Sequence, residues 1–237
     1  MSILPRQPYV SIITPSRGDR QDYLCQLGDS VDMIRARGVP LDWIITSPVA
    51  PGVPTKHTHV LLERAVSPAV ARNAALSAVV TPWVANIDDD DFLAPGFATA
   101  VTRHVGDPLG GSVYFAISQD YYSDGTAVQW EGQLKPGYYA PKDYQALASH
   151  YPLAVHPSTM LARTEMLREQ GGWNSRLEQA EDIDCALKMA RNYGFCMTSL
   201  VTHNYRKHPQ QMTRSKKVAE ADADIISAVH RANGIIL

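Results

Sequence analysis

The chain has 237 residues, 45% of them hydrophobic, enough to bury one sizeable core and too many for a disordered protein. With 22 basic against 24 acidic residues the formal net charge is -2, so no general positive field exists to hold nucleic acid or an acidic surface. Three isolated cysteines (Cys25, Cys185, Cys196) exclude a disulfide framework and fit a reducing compartment.

The first stretch, "MSILPRQPYVSIITPSRG", lacks signal-peptide order, and no run approaches the roughly 18 apolar residues that span a bilayer. The expectation is a cytoplasmic protein. "RKHPQQMTRSKK" (Arg206 to Lys217) is locally basic and could rest on a membrane surface.

"YVSIITP" (Tyr9 to Pro15) is short, β-branched and closed by Pro, the pattern of a buried strand. In "QDYLCQLGDSVDMIRARG", Leu24, Leu27, Val31 and Ile34 recur at helical spacing and Gly38 ends the run. "LDWIIT" predicts a second strand, and "SPVAPGVPTKHTH" a Pro-rich loop. "SPAVARNAALSAVV" predicts a helix, with Ser67 as N-cap and Pro68 in its first turn. "PWVANI" predicts the third strand, ending at Asp88; Pro95 opens a helix with Phe97, Val101 and Val105 on one face.

Further on, "SVYFAIS" and "AVQWEG" around "SDG" predict a hairpin. "TEMLREQGG" and "EDIDCALKMARNYG" predict helices, "FCMTSLVTHNYR" a strand and "KKVAEADADIISAVHRAN" a terminal helix. Strands alternating with helices in the first half predict an α/β fold with a mostly parallel central sheet and helices on both faces. Ligands of such sheets sit beyond the carboxyl ends of the strands.

One such end carries "IDDDDFLAPG". Adjacent carboxylates repel unless a cation is near, and hard oxygens suit Mg2+ or Mn2+. In extended geometry Asp88 and Asp90 would face one side and Asp89 the other. Taken alone, a solvated acidic turn before a helix would read the same way.

The ordered set "VSIITPSR", "ARNAAL", "IDDDDFLAPG" and "GGWNSRLEQAEDIDCALKMA" resembles the family 2 glycosyltransferases of the GT-A fold, over about Tyr9 to His208. The resemblance implies a single GT-A-like domain over 1–237: a nucleotide-binding half at 1–95, a smaller mixed acceptor-binding half at 96–210, and a C-terminal helix at 211–237. It implies inverting transfer of a sugar from a nucleotide-diphosphate sugar to a hydroxyl acceptor, with Mn2+ or Mg2+. The aspartates resemble the family's DxD motif, with Asp88 and Asp90 on the metal, Asp88 and Asp89 beside the donor, and Asp91 capping or supporting.

The same resemblance puts Thr14, Pro15, Arg17, Arg72 and Asn73 along the nucleotide. It makes Asp182 the base that takes the acceptor's proton, with Glu181 orienting it or meeting the acceptor. Acids also gather at ordinary helix N-termini, so "EDID" alone leaves that reading open. Trp173, reached through Gly171 and Gly172, would offer a face to a sugar, or else fill the core. His156 would line the floor. His208, or His203, would complete the metal shell, and Arg206 with Lys207 would balance the departing phosphate.

The segment "IITSPVAPGVPT" lacks the acidic residue with which the family commonly reads uridine. Ser47 or a backbone carbonyl could stand in, and guanosine and thymidine donors stay open. Two other readings remain: a nucleotidyltransferase on a similar fold, and a non-catalytic nucleotide-sugar or carbohydrate-binding protein. The sequence names neither acceptor nor oligomeric state.

Overall fold

The computed structural model describes residues 9–104, 111–131, 134–150, 152–209 and 216–235, the last from residue 223 onward in its side chains. Val105, Gly132 and residues 210–215 of the basic stretch lie outside the described residues. The N-terminal half is built from β1 (Val10–Pro15), α1 (Gln21–Ala36), β2 (Leu41–Ser47), β3 (Thr58–Leu61), α2 (Pro68–Ala78) and β4 (Trp83–Asn86). The four strands are parallel, in the order β3-β2-β1-β4.

β3 occupies the end of the segment expected to be loop. It lies at the sheet edge with both ends exposed, and its Thr-His-Val-Leu sequence carries no apolar run to announce it.

The other half is mixed. It contains β5 (Phe92–Leu93), α3 (Gly96–His104), β6 (Val113–Tyr121), β7 (Ala127–Gln129), β8 (Gly137–Tyr139), β9 (Leu161–Arg163), α4 (Thr164–Glu169), α5 (Glu181–Tyr193), β10 (Phe195–Arg206) and α6 (Lys216–Ala232). β6 and β7 form the expected hairpin, and β10 runs parallel to β6. The three-residue β9 is antiparallel to both β4 and β6 and joins the halves into one ten-stranded sheet.

Strand alternation divides the core. Ile12 and Trp43 pack with Leu24, Leu27, Val31 and Ile34 of α1 and with Phe97 and Val101 of α3. Ile13, Ile44 and Phe115 pack on the opposite face with α2, α4, α5 and α6. Helices therefore cover both faces, as the pattern predicts. Among the described residues no helix is long and apolar enough to cross a membrane.

Candidate active site

The chain leaves β4 at Asn86 and turns at once, with the Asp91 amide donating to the Asp88 carbonyl at 3.2 Å. That turn corrects the expected alternation of the aspartates. Asp88 points to α2, where Arg72 Nη2 donates to its Oδ1 at 2.6 Å. Asp89 and Asp90 share one partner instead: Arg20 Nη1 lies 3.1 Å from Asp89 Oδ1 and 2.6 Å from Asp90 Oδ2. Ser16 Oγ also donates to Asp89 Oδ2 at 2.7 Å. His208 Nε2 lies 3.1 Å from Asp90 Oδ2.

Asp91 is buried behind the turn. It accepts from the Arg206 amide at 2.9 Å and meets His203 Nε2 at 3.0 Å, while His203 Nδ1 lies 2.8 Å from Ser118 Oγ. Burial holds His203 neutral by lowering its pKa to about 4.

These carboxylates differ in acidity. Burial opposes ionisation of Asp88, yet the Arg72 charge holds it below the usual range. Burial lifts Asp89 to about 6 despite its Ser16 bond, with Asp90 adding to the rise. Burial and neighbouring aspartates raise Asp90, and Asp91 further still.

Arg72 was expected along the nucleotide, on a helix. It is 3% exposed and lies between two acidic motifs, with Nη2 on Asp88 and Nη1 on Glu181. Burial works against its charge, but Asp88, Glu181 and Asp182 more than offset that and keep it protonated. Glu181 and Asp182 begin α5 where Ala180 adopts a left-handed φ of 57°. Glu181 is buried on Arg72; Asp182 is half-buried, and its Oδ1 accepts from the Ile183 amide at 2.8 Å. Burial raises both acids.

Two cavities open on this cluster. The first, about 190 Å³, is lined by Pro15, Ser16, Arg17, Arg20, Ala71 and Asp88 to Asp90, among others. The second, about 340 Å³, is lined by Trp130, His156, Glu181 and Asp182 together with apolar residues. Pro68, Arg72, Asp88 and Tyr205 line both, so the two spaces share a wall.

Several expected site residues do other work. Thr14 is buried, its Oγ1 accepting from Trp43 Nε1 at 3.0 Å, so its side chain is turned into the sheet. Asn73 uses both ends of its amide on the Trp173 backbone, donating to its carbonyl at 2.7 Å and accepting from its amide at 2.9 Å. Trp173 itself is 2% exposed in the core, which leaves no face for a sugar. Gly172, at φ +68°, permits the close approach of Asn73 and lines neither cavity.

Arg206 is also buried. Its guanidinium lies 4.7 Å from the Tyr23 ring centre and 4.9 Å from that of Phe92, and its Nε donates to the Asp90 carbonyl at 2.7 Å. It braces the acidic turn and lines neither cavity. Lys207 Nζ lies 3.1 Å from Asp120. Ser47 Oγ donates to the Val49 carbonyl and lies 3.0 Å from His59 Nε2, and Ser47 lines neither cavity.

His156 is where the floor was expected, lining the second cavity. Its Nδ1 accepts from the Ser158 amide at 3.2 Å, leaving Nε2 to carry the proton of the neutral ring. Burial, then His203, keeps its pKa well below the ordinary histidine value.

Sequence reasoning missed Arg20, Ser16, Trp130 and Tyr205. "SRGDR" places two arginines after β1, and nothing local says that the second reaches the aspartates some 70 positions on.

Among the described residues no three His, Cys, Asp or Glu side chains are grouped to hold a metal ion. Hard divalent cations at phosphate sites need only one or two carboxylates, the substrate's oxygens completing the shell. Asp88 and Asp90 both line the first cavity. Asp89, Asp90 and Asp91 are raised first by burial and then by one another's charge, and a nearby dication would favour their ionised forms.

No protein-family model matches the chain, and no curated protein matches it. Solved structures do. S. aureus TarS 1–349 in complex with UDP is similar at a TM-score of 0.64 and 16% identity, over 93% of this chain and 65% of that one. Its complex with UDP-GlcNAc is similar at 0.63 and 15% identity, over 93% and 66%. The mannosyltransferase PcManGT from Pyrobaculum calidifontis, in complex with GDP-Man and Mn2+, is similar at 0.60 and 19% identity, over 96% and 71%. This chain spans slightly less than two thirds of the TarS structures. At such identities the likeness carries the fold: a mixed α/β domain of the GT-A-like kind.

Proposed function

We propose that the chain is a metal-dependent inverting glycosyltransferase that moves a sugar from a nucleoside-diphosphate sugar to an acceptor hydroxyl. The observation that carries this is the wall shared by the two cavities. Donor and acceptor each have a space, and both spaces border Arg72 and Asp88.

In this reading the donor diphosphate lies in the first cavity, where Arg17, Arg20 and Arg72 supply positive charge. Asp88 and Asp90 would hold Mn2+ or Mg2+, which supplies charge neutralisation for the departing diphosphate. His208 orients Asp90 from behind. Arg20 holds Asp89 and Asp90 against their mutual repulsion until the donor arrives.

The acceptor lies in the second cavity beside Asp182. As the acceptor oxygen attacks the anomeric carbon, the Asp182 carboxylate takes its proton. The bond from that carbon to phosphate breaks on the opposite face, and the nucleoside diphosphate leaves with the electron pair. A carboxylate raised by burial is a stronger base than a solvated one, which suits the step. Glu181, held by Arg72, is a positioning residue.

Asp182→Asn is the test. Transfer should fall by about 10² to 10⁴-fold, the range for a lost general base, with donor binding by calorimetry unchanged. Unchanged transfer with lost donor binding would remove Asp182 from this role. Mass analysis of the product separates sugar transfer from nucleotidyl transfer.

A further inference from the structure

We propose that the second cavity takes an acceptor whose reacting hydroxyl is carried on an apolar body, an aryl or alkyl alcohol rather than a bare sugar. This rests on the transferase reading above and deepens it. The cavity, about 340 Å³, is within the range of small-molecule sites.

Its chemistry is divided. The wall shared with the donor cavity carries Arg72, Asp88 and Tyr205, and Glu181 and Asp182 add two carboxylates to the lining. The residues confined to the second cavity are otherwise mostly apolar: Leu153, Val155, Ile183, Ile225 and Ile226, with prolines between. Of these, Leu153, Val155, Ile183 and Ile226 are buried. Three further polar residues line it: His156, whose ring packs with those of Trp130 and Tyr205, and Glu178 and Gln179 on the loop before α5, where Glu178 is exposed to solvent.

Trp130 adds apolar surface in a particular way. Its Nε1 donates to Asp120 Oδ1 at 2.7 Å, so the indole's one donor is already engaged. Its ring packs edge-on with His156 at 5.4 Å and with Tyr205 at 6.3 Å between centres.

A bare sugar brings hydroxyls all round its ring. Those facing Leu153, Val155 and the isoleucines of α6 would lose water and gain no partner. An apolar body gains by taking its own surface and that of the wall out of water. The polar end holds the hydroxyl that reacts, and Asp182 is the group that takes its proton.

The test reads binding separately from turnover. Of the four tryptophans, Trp43, Trp83 and Trp173 are buried in the core, and Trp130 lines the cavity. Geraniol serves as the alkyl probe, 4-hydroxybiphenyl as the aryl probe and methyl α-glucoside as the polar control, each titrated by calorimetry. Geraniol is also followed by tryptophan emission.

At least one apolar alcohol should bind about tenfold or more tighter than methyl α-glucoside. The arm that binds tells a lipid-like acceptor from an aromatic one. The emission change should vanish in Trp130→Phe, and the affinity should fall in Ile226→Asp. Ile225→Ser, at a half-buried position, gives the same readout should Ile226→Asp fail to fold.

Equal or tighter binding of methyl α-glucoside, or no binding of either alcohol, overturns the inference. Transfer of sugar to polar acceptors alone would overturn it and leave the transferase reading standing. Binding of the alcohols with no transfer from any nucleotide sugar would uphold the cavity's preference and sink the transferase reading.

Discussion

Arg72 and Glu181 stand 109 positions apart in the chain and form a buried ion pair, and the other arm of Arg72 holds Asp88. One guanidinium thus ties the acidic turn after β4 to the start of α5. Its fork geometry allows two carboxylates to be held at a fixed separation, which a lysine could not do.

Arg72→Met should therefore cost stability. It leaves carboxylates in low dielectric with no counter-charge, a loss of about 3–5 kcal/mol for a broken buried pair. Urea unfolding measures it. Adding Glu181→Gln should recover part of the loss, because the stranded charge is then removed. A double variant no better than Arg72→Met alone would show that Arg72 acts through packing instead.

The acidity of Asp89 makes stability depend on pH. Its folded pKa is raised to about 6 from 3.8. An acid raised this way favours the folded state while protonated. That contribution is full below pH 3.8 and is lost as pH rises through 6, a loss of roughly 3 kcal/mol. Asp89→Asn has no such titration. Measured in chelator, the variant should gain on the wild type by about that amount between about pH 4 and pH 8. A gap that stays constant would mean that Asp89 titrates alike folded and unfolded.

Nucleotide binding should be visible as heat stability. A ligand at about 100 times its Kd adds roughly 2.7 kcal/mol, which at this chain length raises Tm by several degrees. UDP, GDP, TDP and CDP, each with and without Mn2+, form the panel. One base should give a Mn2+-dependent shift, and Asp88→Asn should lose the metal-dependent part. No shift from any of them would leave the aspartates as a structural turn held by Arg20, Arg72 and Arg206. The panel also identifies which base is read without an acid near Ser47.

Gly172→Ala tests the structural reading of its turn. The φ of +68° and the contact with Asn73 Oδ1 both oppose a Cβ. The expected cost is about 1–3 kcal/mol in thermal or urea unfolding, with affinity for nucleotide unchanged in the folded protein. Intact stability with lost acceptor binding would restore Gly172 to the substrate.

Local patterns were readable where they depend on a residue's own neighbours. The spacing of Leu24, Leu27, Val31 and Ile34 foretold the buried face of α1, and "PWVANI" foretold the strand that delivers the aspartates. Partnerships across the fold were not readable. Arg72 reads as a nucleotide contact, and only the packing of α2 beside α5 shows it buried between two acidic motifs. Trp173 after two glycines reads equally as a platform or a core residue, and the clamp of Asn73 on its backbone goes with the ring turned inward. The aspartates read as alternating until the Asp91 amide closes on the Asp88 carbonyl.

β9 has a kinetic consequence. Its three residues pair with β4, some 80 positions earlier, and with β6. Neither half of the sheet can reach the other before that long loop closes, and such non-local pairing is slow. The segment just before β9 carries His156 and Pro157 into the second cavity, and β4 leads into the aspartates that line the first. The first cavity is lined from the β1–β4 side alone except for Tyr205, whereas the second draws on both sides of the seam. A substitution that loosens Leu161 or Ala162 in the seam should therefore weaken acceptor binding more than donor binding, each read by calorimetry.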